Sequence, residues 1–67
     1  MYPEIGKFYR HYKGGLYQVL FLSKQTETQE ILVNYKSIHF GSYYSRPLDS
    51  WNQLTDDGEI RFKIVTE

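Results

Sequence analysis

The segment Leu16–Lys24 reads Leu-Tyr-Gln-Val-Leu-Phe-Leu-Ser-Lys and directly follows the pair Gly14-Gly15. It has the length and the aromatic and β-branched content of a strand, and apolar side chains occupy both of its faces. One face would carry Tyr17, Val19 and Phe21, and the other Leu16, Leu20 and Leu22. A strand that is apolar on both faces is usually central in its sheet, strongly bent, or both. The glycine pair predicts a tight hairpin before it, because both glycines can take positive φ at little cost.

Turn signals on either side of this segment divide the rest of the chain into short strands. The sequence predicts strands over Gly6–Tyr12, Leu16–Lys24, Glu30–Lys36, Tyr43–Arg46 and Ile60–Val65, and one helical turn within Leu48–Leu54. In the last strand, Ile60, Phe62 and Ile64 are expected to face inward. No long window shows the 3.6-residue periodicity of an amphipathic helix. The prediction is an all-β fold: residues 1–67 form a single small five-stranded SH3-like barrel or roll, with one short helical turn before the last strand.

The composition favours a folded domain whose core is built from aromatic rings. The 67 residues include seven Tyr, four Phe, one Trp and no Cys, so neither a disulfide nor a thiolate zinc site can stabilise the chain. So many rings exceed what a core of this size can hide, and some are expected at the surface. No stretch approaches the ~20 apolar residues of a membrane span, and residues 1–4 do not resemble a signal peptide. We therefore expect a cytoplasmic protein with no membrane partner.

The charges balance, but they are unevenly distributed. Eight basic and eight acidic residues give a formal net charge of zero, which argues against a site dominated by phosphate-backbone contacts. Between Glu4 and Glu27 there is nevertheless no acid, whereas four basic residues lie there: Lys7, Arg10, Lys13 and Lys24. Nucleic-acid binding through the stretch Lys7–Lys24 is therefore the alternative function, ranked second.

Two short segments carry the residue types of a binding site. The first is Arg10-His11-Tyr12-Lys13 at the end of the first strand, where planar guanidinium and aromatic groups precede a glycine turn. The second is Arg46, which Pro47 forces into an extended conformation close in sequence to aromatic rings. The predicted binding residues are Arg10, His11, Tyr12, Lys13, Tyr44, Arg46 and Trp51. The hypothesis requires Arg10 and Arg46 to lie side by side between exposed rings.

Each of these residues also has a structural interpretation. His11 could be a core residue whose polar atom is satisfied, and Arg10 could cover an apolar ring. Arg46 could pair with Glu27 or Glu30, or stack on a tyrosine. Sequence alone leaves these alternatives open.

No known catalytic pattern is present in the sequence. The two histidines, His11 and His39, lack a metal-ligand spacing, and there is neither a Gly-x-Ser-x-Gly elbow nor a glycine-rich phosphate loop. Glu27 could act as an acid or base with His11, but it lies between two threonines in a predicted turn. We therefore predict that the protein is not an enzyme, and we predict no catalytic residue, metal or cofactor.

Several motifs together resemble a known family. They are Tyr9-Arg10-His11-Tyr12-Lys13-Gly14 with Tyr17 and Val19, Thr26-Glu27-Thr28, Val33 with Tyr35, Gly41, Tyr44-Ser45-Arg46-Pro47-Leu48, and Asp57-Gly58 before Arg61-Phe62. In this combination the chain resembles the bacterial domain of unknown function numbered 1653, from about Gly6 to Val65. The resemblance implies a compact SH3-like barrel that is usually alone in its chain, and it implies no activity or ligand.

The function predicted from the sequence is that of a small binding or interaction module. Its surface would be lined by aromatic and arginine side chains, and its partner would be a protein, a peptide or a small anionic ligand. Nucleic acid is the second partner considered.

Overall fold

Five antiparallel strands form one sheet in this computed structural model, which describes residues 1–66. The elements are β1 (Phe8–His11), β2 (Leu16–Lys24), β3 (Ile31–Ser37), β4 (Tyr43–Pro47), α1 (Leu48–Asn52) and β5 (Phe62–Ile64). The spatial order is β4-β3-β2-β1-β5. The β-dominated fold, the five strands and the helical turn before the last strand are confirmed, and β2 has the predicted bounds. In the part of the chain that the structure describes, no helix is long and apolar enough to cross a membrane.

The central strand β2 is irregular in the middle. Val19 pairs with Tyr35, but the next residue paired with β3 is Phe21, opposite Asn34, so a bulge inserts Leu20 between them. A bulge bends its strand and breaks the strict alternation of faces. Val19 is therefore fully buried whereas Phe21 is exposed, and Leu22 returns to the core side. The prediction that Val19 and Phe21 share a face is wrong for this reason, and the predicted central, bent strand is confirmed.

The curled sheet holds the core on its concave face. Six buried side chains form that core: Tyr9, Val19, Val33, Tyr35, Trp51 and Phe62. The helix α1 follows Pro47, the last residue of β4 and the N-cap of the helix, whose backbone is still extended at φ −56° and ψ 143°. It places the Trp51 ring on the concave face of the sheet, stacked on Phe62, with ring centroids 3.9 Å apart and planes within 3°. One turn of helix thereby links the two outer strands.

The predicted closed barrel is not formed. Within residues 1–66, β4 and β5 are the outer strands of an open sheet and pair with β3 and β1 respectively. One reason is length, since β5 has only three residues. The preceding segment instead closes a turn of its own, in which the Thr55 amide donates to the Glu59 carbonyl at 2.9 Å. Ile60 lies before β5 and is exposed, so the prediction that it faces inward is wrong.

The first hairpin uses its two glycines in different ways. Gly14 has φ of 107°, in a region that side chains disfavour, and a Cβ there would meet nothing within 4 Å. Gly15 does not have positive φ, although its residue type would allow it. A Cβ on Gly15 would instead lie 2.7 Å from two atoms of the Tyr17 ring. Gly15 is thus required because an aromatic ring lies against the backbone.

Candidate binding site

Aromatic rings from all strands of the sheet form the base of the candidate site. Tyr17 on β2 is at the centre of this cluster, with its ring edge-on to Tyr35, Phe62 and Tyr44 at centroid distances of 5.4, 6.0 and 6.2 Å. Edge-to-face contacts of this kind stabilise by roughly 0.5–1.5 kcal/mol beyond the area they bury. Because each ring is held by several others, the surface above them is expected to be rigid.

His11 lies at the edge of this ring cluster. It pairs across the sheet with Phe62, and the two rings meet edge-on at 4.8 Å. The Lys13 amide donates to His11 Nδ1 at 3.2 Å. Because Nδ1 accepts a hydrogen bond, the proton of the neutral ring belongs on Nε2. Partial burial lowers the pKa of His11, and the nearby charges of Arg46, Arg61 and Lys13 lower it further.

Arg46 reaches the same place from the other edge of the sheet. Its guanidinium lies 5.2 Å from the centroid of Phe62, although the two residues belong to opposite outer strands. Trp51 stacks on one face of Phe62, which leaves the other face for Arg46. This is a cation–π contact, as one structural interpretation proposed, but its ring is a phenylalanine and not a tyrosine. No buried side-chain nitrogen or oxygen within residues 1–66 lacks a hydrogen-bond partner, so the guanidinium N–H groups are not stranded in the core.

Arg61 supplies a second guanidinium beside His11. Its Nε donates to the Gln53 carbonyl at 3.2 Å, which ties the end of α1 to the start of β5. The guanidinium lies 5.6 Å from the centroid of Tyr12, and Lys13 Nζ lies 5.7 Å from the same ring. Within residues 1–66 the side-chain hydrogen bond of Arg61 uses Nε, so its terminal nitrogens can serve a ligand.

We call the group of His11, Tyr12, Lys13, Arg46 and Arg61 the cationic rim. The charged groups that act on His11 are all cations. Several positive charges are therefore close to one partly buried ring, and the nearby carboxylate of Glu59 lines the same cleft as His11 and Tyr12. Such an arrangement is favourable for an anion, because guanidinium groups bind carboxylate and phosphate through paired hydrogen bonds.

Tyr44 adjoins the cationic rim through Tyr17. One face of its ring stacks on Tyr35, with centroids 5.6 Å apart and an interplanar angle of 29°. Its side chain is nevertheless 45% exposed, as is that of Tyr12. Tyr44 thus offers a flat ring with a supported inner face and a solvent-facing outer face, on the same strand as Arg46.

The structure does not bring together all the predicted site residues. Tyr9 and His11 face the concave side, so the alternation of β1 places Arg10 on the convex side, opposite Lys63 on β5. The Arg10 guanidinium donates to the Gly14 carbonyl at 3.0 Å. Arg10 and Arg46 therefore lie on opposite faces of the sheet, and the expectation that they lie side by side is wrong. Trp51 is only 4% exposed and supports Phe62 from below, so it is not a surface ring.

Sequence reasoning did not include Arg61 and Tyr17 in the site. The signal for Arg61 was its position immediately before Phe62, which pairs with His11. The signal for Tyr17 was its position two residues after Gly15, whose missing side chain makes room for the ring. Both signals depend on strand register, which a single sequence does not give.

The pairing of His11 with Glu27 considered above is not supported by the topology. His11 is at the hairpin end of β2, and Glu27 follows Lys24 at the other end. The nine residues of β2 lie between them and span roughly 26 Å, at about 3.3 Å for each step. Within residues 1–66 there is also no group of three or more His, Asp or Glu side chains that could hold a metal ion.

Comparison with known proteins gives the family. The model of the family described as protein of unknown function DUF1653 matches residues 7–64. The chain belongs to this family. A crystal structure of a DUF1653 protein from Bordetella bronchiseptica superposes with a TM-score of 0.80 at 33% identity, covering 96% of this chain and 90% of that one. No curated protein matches the chain.

Membership in DUF1653 accounts for the fold and leaves the chemistry to the residues themselves. The matched span includes every residue of the cationic rim and of its aromatic base. The resemblance inferred from the sequence is confirmed, and the family description gives no function.

Proposed function

We propose that this DUF1653 domain is a small binding module that holds an anionic ligand at the cationic rim. The observation that carries the proposal is that Arg46 lies against Phe62, that Arg61 and Lys13 lie against Tyr12, and that both of these rings contact the partly buried ring of His11. Holding several positive charges next to a partly buried ring costs free energy unless a negative charge lies nearby. A bound anion would supply that counter-charge.

The surrounding rings support a binding site more than a purely structural role. Tyr12 and Tyr44 are both about half exposed and both are held in place by neighbouring aromatic side chains. Rigid exposed tyrosines beside arginines are the side chains that contribute most at binding surfaces, because little conformational entropy is lost when a ligand orders them.

Nucleic-acid binding along the stretch Lys7–Lys24 remains the second proposal, and the topology gives it less support. Lys13 belongs to the first hairpin, whereas Lys24 ends β2 at the far side of the sheet. Arg10 leaves the sheet on the face opposite to His11. The acid-free segment of sequence is therefore not gathered into one basic stripe of the kind that follows a phosphate backbone.

Arg46 and Arg10 provide a matched pair of variants. In Arg46→Met the unbranched stem still packs on Phe62 while the charge is removed, and Arg10→Met makes the same change on the convex face. We expect chemical shifts of the His11 and Tyr44 resonances to move when phosphate, acetate or benzoate is titrated into the wild type. The Arg46→Met change should reduce that affinity about tenfold or more, the effect expected for a charge-assisted hydrogen bond. The Arg10→Met change should weaken binding less than Arg46→Met, because the Arg10 guanidinium donates to the Gly14 carbonyl on the other face of the sheet.

Three results would reject the proposal. One is the absence of any saturable shift at His11 and Tyr44. Another is saturable binding that maps to the convex face, and the third is equal weakening by the Arg10 and Arg46 variants. Far-UV circular dichroism and urea unfolding of each variant show whether it retains the fold, so that loss of binding is not confused with loss of structure.

A further inference from the structure

We propose that the anion bound at the cationic rim is a phosphate monoester attached to a heteroaromatic base, as in a nucleoside monophosphate, with the base stacked on Tyr44. This inference rests on the proposed function and specifies its ligand class. Two features carry it: the two guanidinium groups that lie against rings in contact with His11, and the separation between the rim and the exposed face of Tyr44.

The charge at the rim matches a doubly charged group better than a single carboxylate. Arg46 and Arg61 each bring a permanent positive charge to His11 from different sides, one from β4 and the other from the start of β5. A carboxylate would offset one of these charges. A phosphate monoester carries about −1.5 to −2 at pH 7 and has three acceptor oxygens, so it can accept from both guanidinium groups at once.

His11 adds a neutral donor between the two arginines. Its Nδ1 already accepts the Lys13 amide, so the N–H that remains for a ligand is at Nε2. With two guanidinium groups and one imidazole N–H, the rim provides a donor for each oxygen of a phosphoryl group.

The position of Tyr44 specifies what the phosphate is attached to. Tyr44 and Arg46 are two residues apart on β4, so their side chains leave the same face of the strand about 7 Å apart. The inner face of Tyr44 is covered by Tyr35, and the outer face is free to stack on a planar ring. A sugar between base and phosphate spans a gap of this size, whereas a phosphate bonded directly to a ring would leave either the arginine or the tyrosine without its partner.

The experiment compares the binding of a nucleotide with the binding of its separate parts. Adenosine 5′-monophosphate, adenosine, ribose 5-phosphate and sodium benzoate are titrated separately into the full chain, with binding followed by chemical shifts of His11 and Tyr44. We expect the nucleotide to bind at least tenfold more tightly than ribose 5-phosphate, since stacking of one base on an aromatic side chain contributes about that factor or more. Benzoate and adenosine should each bind more weakly than the nucleotide, because each lacks one of the two contacts.

Two pairs of variants test the two contacts separately. Tyr44→Leu should lower nucleotide affinity about tenfold and leave ribose 5-phosphate nearly unchanged, and Tyr44→Phe should bind both like the wild type. Arg46→Lys keeps the charge and the fold but not the planar fork, so it should weaken both phosphates and leave adenosine unchanged. If Arg46→Met fails to fold, Arg46→Lys carries this test alone.

The outcomes separate this inference from the broader proposal. Benzoate binding at the rim as tightly as the nucleotide would overturn the phosphate assignment and would still support an anion site. If ribose 5-phosphate binds as tightly as the nucleotide, the stacking assignment is overturned. A 5′-phosphorylated oligonucleotide that binds more tightly than the mononucleotide would overturn the small-molecule assignment in favour of a nucleic-acid end. Absence of binding by every anion would reject both proposals.

Discussion

The contact between Gly15 and Tyr17 gives a quantitative test of how the site is built. A Cβ on Gly15 would lie 2.7 Å from both Cε2 and the hydroxyl oxygen of Tyr17 and 2.9 Å from Cζ, so the ring must move in Gly15→Ala. Forcing a packed side chain to move typically costs about 1–3 kcal/mol. Replacing glycine by alanine recovers about 0.4–1 kcal/mol by restricting the unfolded chain. The expected net loss of unfolding free energy is therefore about 1–2 kcal/mol.

A double-mutant cycle distinguishes this clash from a backbone effect. Leucine at position 17 lacks the three ring atoms that the new Cβ would meet. In a Tyr17→Leu background, Gly15→Ala should cost nothing or should stabilise by a few tenths of a kcal/mol. The coupling energy should be about 1–3 kcal/mol, measured by urea unfolding at pH 7. For a domain of this size, each kcal/mol corresponds to a shift in Tm of roughly 4–8 °C.

Gly14, the residue before Gly15, provides the matched control. At φ of 107° an alanine is strained, but its Cβ would meet nothing within 4 Å. Gly14→Ala should therefore destabilise by about 1–3 kcal/mol, equally with tyrosine or leucine at position 17. If Gly15→Ala lowers the unfolding free energy by the same amount in both backgrounds, Tyr17 does not lie against the hairpin and does not form the base of the site.

Two other predictions follow from the ring cluster. The lowered pKa of His11 means that the folded state resists protonation of this ring, so its contribution to stability is complete above the ordinary value near 6.5 and is lost as the pH falls through the lower folded pKa. The loss in urea midpoint between about pH 7.5 and 5.5 should be smaller in His11→Asn, and an identical pH profile would contradict this. Trp51→Ala should cost about 3–5 kcal/mol and leave the chain largely unfolded by far-UV circular dichroism, because a domain of this size has a margin of similar magnitude. Trp51→Phe should remain folded, and a cooperative wild-type transition in the alanine variant would refute the stacking on Phe62.

The secondary structure could be predicted from the sequence where local signals agree. β2 is bounded by glycines on one side and a polar turn on the other, and its predicted bounds are those observed. Pro47 fixes the change from strand to helix, because its ring suits the first turn of a helix and cannot continue a sheet ladder. These are effects of one to three neighbouring residues, so a single sequence contains them.

The parts that could not be predicted depend on long-range register. The bulge at Leu20 shifts the register of β2 against β3, and it places Phe21 on the opposite face from the one that strict alternation predicts. Closure of the barrel depends on the length of β5, and the turn from Thr55 to Glu59 shortens that strand. The position of the candidate site residues depends on register in the same way: His11 and Tyr44 both contact the Tyr17 ring, whereas Arg10 differs from His11 by one residue and therefore by one face of the sheet.

The side chains that form the core of this fold are also those that form the site, and this limits how the two can vary. Phe62 is buried between Trp51 and Arg46, so a change that loosens the core displaces a guanidinium of the rim. Conversely, an anion that binds both Arg46 and Arg61 would connect β4 to the start of β5, the two outer strands that no backbone hydrogen bond joins within residues 1–66. A ligand bound to the folded state alone raises its stability in proportion to the logarithm of ligand concentration. Binding at the rim should therefore slow opening of the curled sheet, and hydrogen exchange of the β5 amides should slow more than that of the β2 amides, which are already protected on both sides.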